Sequence, residues 1–323
     1  MKRKVIITGS SGFIGRSLVA YLRQQDYEVI SLDNSIDIDS ESETCRRCDL
    51  LERERLIHLL CEIRPNSIIH LAARTDLDEK ANLEGYDVNI NGVRNLIDAV
   101  KAAGSVDRVL FTSSQLVCEV GYVPRFDEDY RPNTLYGESK VRGEQIVRNA
   151  DLQGITWCIL RPTTIWGEGM SPHYQRLLLA LKRGRYFHVG KAPLFKSYGY
   201  LGNAVYQYAK FLDAAPEQID RRTFYIADYT PLSLREWTAS LACMLGGQRI
   251  VTLPKSGSIL LAKVGDLINA LGMKRFPFNS FRLNNILTEY QFDMSETEKI
   301  CGPLPFSIED GVKRTADWFL DKS

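Results

Sequence analysis

Near the N-terminus the run Lys4-Val5-Ile6-Ile7 passes directly into Thr8-Gly9-Ser10-Ser11-Gly12-Phe13-Ile14-Gly15, after which Leu18, Val19 and Leu22 repeat at helical spacing. The apolar run reads as a strand buried on both faces, and the repeat behind it as a helix packed on that strand. Glycines make the sharp reversal between them possible. Gly9 permits the tight turn, Gly12 leaves the backbone bare enough for a pyrophosphate to approach, and Gly15 lets the helix lie close to its strand. The helix N-terminus, with free N–H groups and the positive end of its dipole, points at that phosphate, and Ser11, Phe13 and Ile14 complete the binding loop. A chain that opens this way is committed to a parallel sheet, because the next parallel strand must be reached across a helix.

The second strand, Tyr27-Glu28-Val29-Ile30-Ser31-Leu32, ends in Asp33 with Asn34 beside it. A carboxylate about twenty residues beyond the glycine loop accepts hydrogen bonds from ribose hydroxyls and repels a 2′-phosphate. The cofactor expected is therefore NAD, not NADP. Ser67-Ile68-Ile69-His70-Leu71, Asp107 to Thr112 and Ile155 to Leu160 read as further buried strands alternating with helices. The fold class is thus α/β, a doubly wound parallel Rossmann sheet over residues 1–165, with a smaller C-terminal mixed α/β substrate domain over 166–323. His70 reads as a strand-end core residue.

Tyr136-Gly137-Glu138-Ser139-Lys140 places a phenol and an ammonium one helical turn apart on one face. A free phenol titrates at about pH 10 and is a poor base at neutrality, but a nearby cation favours phenolate. Tyr136 is the expected acid/base and Lys140 its tuning cation.

Together with Leu32-Asp33-Asn34, Cys48-Asp49-Leu50, His70-Leu71-Ala72-Ala73, Val88-Asn89-Ile90-Asn91-Gly92, Thr112-Ser113-Ser114 and Leu160-Arg161-Pro162, these motifs occur in an order that resembles the NAD-dependent epimerase/dehydratase family of extended short-chain dehydrogenases/reductases. The resemblance spans nearly the whole chain. It implies that Asp49 and Leu50 flank the adenine and that Leu71, Ala72 and Ala73 form a strand end beside the cofactor. Asn89 and Thr112 join the NAD set, and Pro162 and Thr163 lie near the carboxamide. Ser114 aligns with the catalytic hydroxyl, and Lys140 would also hold the nicotinamide ribose. Arg74, Thr164, Lys196 and Arg282 are the implied substrate contacts, the last two as diphosphate partners. The resemblance also returns 196–215 to the cofactor domain, and it implies a homodimer built on the helices near Leu83 to Ala103 and Leu135 to Gln153.

The function expected on these grounds is that of an NAD-dependent nucleotide-sugar epimerase working through a transient keto-sugar. Two alternatives stay open: a reductase or dehydrogenase of a nucleotide keto-sugar or other small carbonyl, and a non-catalytic NAD-binding protein. Sugar dehydration is rejected, because Gln115 and Leu116 follow Ser114 where dehydratases of the family carry an acid/base pair.

Balanced charge, 41 Lys+Arg against 40 Asp+Glu, offers no electrostatic footprint for nucleic acid or an anionic membrane. Seven scattered cysteines and the absence of a signal-peptide pattern point to a reduced, cytoplasmic compartment. Cys45 and Cys48 have zinc-like spacing without a second pair, so no metal is expected. The apolar stretch Ser258 to Leu271, interrupted by Lys263 and Asp266, is expected to pack as an amphipathic helix on the smaller domain without spanning a membrane, with membrane contact as the alternative.

Overall fold

Val5, Ile6 and Ile7 are fully buried, and their alternation sends Ile6 to one face of a sheet and its two neighbours to the other. They belong to a computed structural model that describes residues 2–37, 42–77, 82–271 and 278–322. β1 (Arg3–Thr8), α1 (Phe13–Arg23), β2 (Tyr27–Asp33) and β3 (Cys45–Arg47) build one side of the central sheet. α2 (Arg53–Ile63), β4 (Ser67–His70), α3 (Asn91–Ala103), β5 (Arg108–Thr112), α4 (Leu135–Asn149) and β6 (Thr156–Pro162) build the other. Then follow β7 (Thr164–Trp166), α5 (Pro172–Lys182), β8 (Phe187–Val189), β9 (Phe195–Lys196), β10 (Tyr198–Tyr200) and α6 (Leu201–Asp213). α7 (Pro216–Ile219) leads into β11 (Arg222–Ile226), which returns to the edge of the main sheet. The remainder is β12 (Leu232–Ser233), α8 (Leu234–Met244), β13 (Val251–Leu253), α9 (Lys255–Ala270), α10 (Ser280–Leu287), α11 (Ser295–Cys301) and α12 (Ile308–Asp321).

All seven strands of the main sheet are parallel, in the order β11-β6-β5-β4-β1-β2-β3. The order reverses between β1 and β4, and in such sheets ligands bind beyond the carboxyl ends at that reversal. Leu56, Leu60, Val93 and Leu96 from α2 and α3 cover one face, packed on Ile6, Ile30 and Ile68. Leu18, Leu22, Val205 and Phe211 from α1 and α6 cover the other, on Val5, Ile7 and Ile69. Each aliphatic side chain so buried stabilises the fold by roughly 1.5–3 kcal/mol before entropy is counted. The sheet also draws α6 and β11 from beyond residue 165, so the chain's later half enters the Rossmann layer beyond the 196–215 return that the sequence suggests.

Inside this packing α4 is tied to β6 by a buried ion pair. The Arg161 side chain is 1% exposed and that of Glu144 2%, with Nε to Oε1 at 2.8 Å and Nη2 to Oε2 at 2.7 Å. The Tyr130 hydroxyl donates to the same carboxylate at 2.9 Å, and Arg161 also donates to the Asp127 carbonyl. Bidentate geometry with extra hydrogen bonds is what allows two charges to leave water together.

The stretch from 258 to 271 does form a helix, but its packing inverts the expectation. Ser258, Ala262 and Gly265 face inward, while Leu260, Val264, Leu267 and Leu271 are exposed. Small residues let α9 sit close to α10, and no described element covers the opposite face.

Glu144→Leu strands a buried guanidinium and is expected to cost about 3–5 kcal/mol in urea unfolding, whereas Glu144→Leu/Arg161→Met should recover at least half of that loss.

Candidate functional site

At the cofactor end, β1 stops at Thr8 and the chain turns at Gly9, whose φ is +69°. A Cβ there would lie 2.6 Å from the Ala72 backbone nitrogen, and one at Gly15 would lie 2.1 Å from the Gly9 carbonyl. Both glycines are therefore required by close approach. α1 begins behind Gly12 with no side-chain cap and no acidic residue in its first turn. Asp33 closes the mouth: its carboxylate accepts from the Ser11 amide at 3.0 Å and from the Ser35 amide at 2.9 Å. Asn34 is exposed next to it, and Asp49 turns its carboxylate onto the Leu51 amide beside the buried Leu50.

Thr8 and His70 join the two strands at the reversal, Oγ1 to Nδ1 at 2.8 Å, and Thr8 Oγ1 also accepts from the Ala72 amide at 3.2 Å. Burial, with Lys140 adding to it, pulls His70 down to about 3, so it is a neutral structural residue. Leu71, Ala72 and Ala73 leave β4 half-buried along this edge. Asn89 then fixes the exit loop: it exchanges hydrogen bonds with the Arg74 backbone at 2.9 and 3.0 Å and donates to Ser139 Oγ on α4 at 2.9 Å. Arg74 itself pairs with Asp76 at 2.6 Å and lies over the Tyr86 ring.

At the reaction end, β5 delivers Thr112 and Ser114. Ser114 caps a short turn over Gln115–Val117, accepting from the Leu116 amide at 3.1 Å. Thr134 caps α4 by accepting from the Gly137 amide at 3.0 Å. A Cβ on Gly137 would lie 2.2 Å from the Leu116 carbonyl, so only glycine lets the helix seat against the Ser114 turn. This seating sets the Tyr136 phenol beside Ser114. Lys140, one turn on, donates to the Thr112 carbonyl at 3.0 Å.

Burial governs both ionisable groups. It pushes Tyr136 up to about 12, with Ser114 opposing, and Lys140 down to about 8, with Glu144 opposing. The expected lowering of Tyr136 by Lys140 is not what dominates here, because desolvation of the phenolate outweighs any neighbouring charge.

The substrate-side candidates separate. Thr164 Oγ1 is hydrogen-bonded to the Tyr290 phenol at 3.1 Å, and Gln115 and Tyr198 lie within reach of the same phenol. Lys196 is buried, donates to the Asn285 carbonyl at 2.6 Å, and sits 5.4 Å above the Tyr290 ring. Burial takes it down to about 8. Arg282 is exposed in the first turn of α10, whereas Lys196 is buried against the Asn285 carbonyl of the same helix. Pro162 and Thr163 end β6, where the Thr163 amide donates to the Ile226 carbonyl at 3.0 Å.

The sequence model for the NAD dependent epimerase/dehydratase family matches residues 5–212. The chain belongs to this family. It is 25% identical, over 98% of its own length and 96% of the relative's, to N-acetyl-alpha-D-glucosaminyl-diphospho-ditrans,octacis-undecaprenol 4-epimerase of Escherichia coli O157:H7. Over 98% of its length and 80% of the relative's it is 26% identical to 3beta-hydroxysteroid-dehydrogenase/decarboxylase isoform 1 of Arabidopsis thaliana. Its fold matches that of a UDP-glucuronic acid 4-epimerase from Bacillus cereus, solved with UDP-glucuronic acid and NAD, at a TM-score of 0.74 and 19% identity over 99% and 100% of the two chains.

As a member of this family the chain is an NAD-dependent enzyme. Its own residues fit the cofactor: a glycine cradle that a Cβ would fill, an uncapped helix N-terminus for phosphate, and a fixed carboxylate at the end of β2. Sequence reading missed Tyr290, Tyr174 and Glu144. Glu144 had a local signal, being one turn beyond Lys140 as Lys140 is beyond Tyr136. Tyr174, close enough to act electrostatically on Tyr136 and Tyr290, and Tyr290 itself carried none.

Because the Lys140 ammonium is held below its unfolded value of 10.5, its contribution to stability is lost as pH falls from 10.5 toward 8. Lys140→Met should thus melt no lower than wild type, its advantage growing as pH falls through that window, while NAD affinity drops at least tenfold by fluorescence titration. Asp33→Ala should weaken NAD and narrow the NAD-over-NADP preference in the same titration; tighter binding of NADP than NAD by the unaltered chain would refute the role assigned to Asp33.

Proposed function

We propose that this chain is an NAD-dependent epimerase of nucleotide-sugars that works through a transient keto-sugar. The observation that carries this reading is the buried Tyr136 phenol beside Ser114, at the carboxyl end of β5 and opposite the glycine cradle. Bound NAD supplies hydride acceptance and return at one carbon of the substrate.

The residues supply the proton path and the alignment. Ser114 holds the substrate hydroxyl oxygen, and Tyr136 as phenolate takes the proton from that hydroxyl while the carbon loses hydride. The product of that half-reaction is a ketone, and Tyr136 returns the proton once hydride has been delivered to the other face. Lys140 holds the nicotinamide ribose, Asp33 the adenosine ribose, and Gly9 to Gly15 the pyrophosphate. Gln115 faces Tyr290 and carries no titratable group, so water elimination has no acid/base partner at this position. A homodimer formed through α3 and α4, and a cytoplasmic setting suited to seven unbridged cysteines, belong to the same reading.

A second reading, reduction or oxidation of a small carbonyl or keto-sugar, is favoured by the substrate side. Tyr290, Tyr198 and Thr164 line it, and Lys196 is already engaged with a backbone carbonyl. Such a wall suits an uncharged substrate as well as a sugar, and the dehydrogenase from Arabidopsis is as similar in sequence as the epimerase from Escherichia coli.

Incubation with a panel of UDP-, GDP- and dTDP-sugars, with and without NADH, separates the two. Epimerisation gives an isomer of unchanged mass with no net NADH use, whereas reduction consumes NADH one for one. Tyr136→Phe should lower turnover about 10²–10⁴-fold with little change in NAD binding; unchanged turnover would remove catalysis at this site.

A further inference from the structure

α9 is built inside out. Its inward side chains are Ser258, Ala262 and Gly265, and its outward centre carries Leu260 at 66%, Leu267 at 60% and Leu271 at 67% exposure, with Val264 beside them. At 100° per residue these four lie in one arc directly opposite the buried three. Scattered exposed leucines are ordinary, but a continuous stripe along about three helical turns marks an interaction surface.

The segments adjoining α9 are cationic. β13, which leads into α9, pairs with β8, and a Cβ at Gly190 would meet the Lys255 side chain at 3.2 Å, so the stem of Lys255 lies beside the Gly190-Lys191 step. A Cβ at Gly184 would meet the Gln248 amide at 3.3 Å, so the Arg183–Arg185 segment runs beside the Gln248-Arg249 segment. With Lys263 on α9 itself, two contacting stretches supply six cations, and all six residues are exposed. The one acid of α9, Asp266, accepts from the Ser280 amide at 3.2 Å. No helix among the described residues is long and apolar enough to cross a membrane.

We propose that the outer face of α9 is an interfacial docking surface for an anionic lipid bilayer. The leucine stripe enters the headgroup–acyl boundary with Lys263 flanking it, while the cations of the adjoining β8 and β13 segments attract the anionic headgroups. The spacing of Leu260, Val264, Leu267 and Leu271 would also serve helix pairing with a second copy, but a twofold contact would set Lys263 and its neighbours against their own images, whereas anionic lipid neutralises them. α9 packs on α10, whose Asn285 carbonyl receives the Lys196 ammonium beneath Tyr290. The docking face is therefore one helix away from the substrate side of the cleft. Lipid binding here does not depend on which reaction the cleft performs.

Flotation of the intact chain with vesicles tests this directly. Vesicles of phosphatidylcholine with phosphatidylglycerol should carry the protein, pure phosphatidylcholine should carry at least tenfold less, and salt at about 0.5 M should release it. Leu260→Ser/Leu267→Ser and, separately, Lys255→Glu/Lys263→Glu should each reduce vesicle-bound protein at least tenfold with unchanged melting temperature, since all four side chains are exposed. Absence of flotation overturns the proposal. So does a fall in molecular mass by light scattering for the leucine variant without any lipid binding by the parent, which would assign the stripe to a second copy.

Discussion

One buried ion pair fixes the position of the proposed reaction centre. Tyr136, Lys140 and Glu144 are successive one-turn steps along α4, and Glu144 is the step held to β6 through Arg161. A slip of one turn would move the phenol about 5.4 Å along the axis and out of reach of Ser114. The bidentate contact prevents this because a guanidinium accepts a carboxylate in one plane and one register. Close backbone contacts over-determine the same placement: a Cβ on Gly137 would strike the Leu116 carbonyl, and one on Gly143 would lie 3.0 Å from the Asn89 carbonyl. α4 therefore approaches the β5 exit on one side and the β4 exit on the other as a rigid unit.

That rigidity has a cost in ionisation. A phenol pushed up to about 12 and an ammonium pulled down to about 8 are both moved toward their neutral forms by the same burial. Tyr136 is thus held as a protonated phenol at neutral pH, and Lys140 is closer to losing its charge than a surface lysine. Introducing a positive charge beside the phenol shifts it back toward phenolate, since an opposite charge within about 4–6 Å offsets desolvation. In the proposed reaction the protonation of Tyr136 then depends on what binds beside it and not on Lys140 alone.

How much of this was legible depends on the range of each signal. The glycine loop, Asp33 and the Tyr136–Lys140 spacing are local patterns, and local geometry decides whether they form, so the parallel sheet and its reversal could be read from sequence. Glu144 continues the one-turn spacing of Tyr136 and Lys140, but its partner Arg161 lies seventeen positions away, and no local pattern pairs the two. β11 is five residues of mixed polarity whose place is decided by β6, a partner some sixty residues away. Lys196 illustrates the limit most clearly. A cation in a Tyr-rich loop suggests an anion partner, yet tertiary packing gives it the Asn285 carbonyl and the face of Tyr290, while Arg282 remains in solvent.

The same difference in range explains why balanced composition misleads about surfaces. Charges farther apart than a Debye length, about 8–10 Å in physiological salt, scarcely feel one another, so a chain near neutrality overall can still present a strongly signed patch. Here residues 169–212 contain no Asp or Glu at all, and the acids that balance the total lie elsewhere. Helical periodicity is equally blind to direction: the stretch from 258 to 271 has apolar residues enough to suggest a core-facing stripe, but the choice of which arc to bury falls to the smaller side chains because they allow α9 to lie against α10. Close helix packing won over burial of the large side chains and left the hydrophobic surface outward.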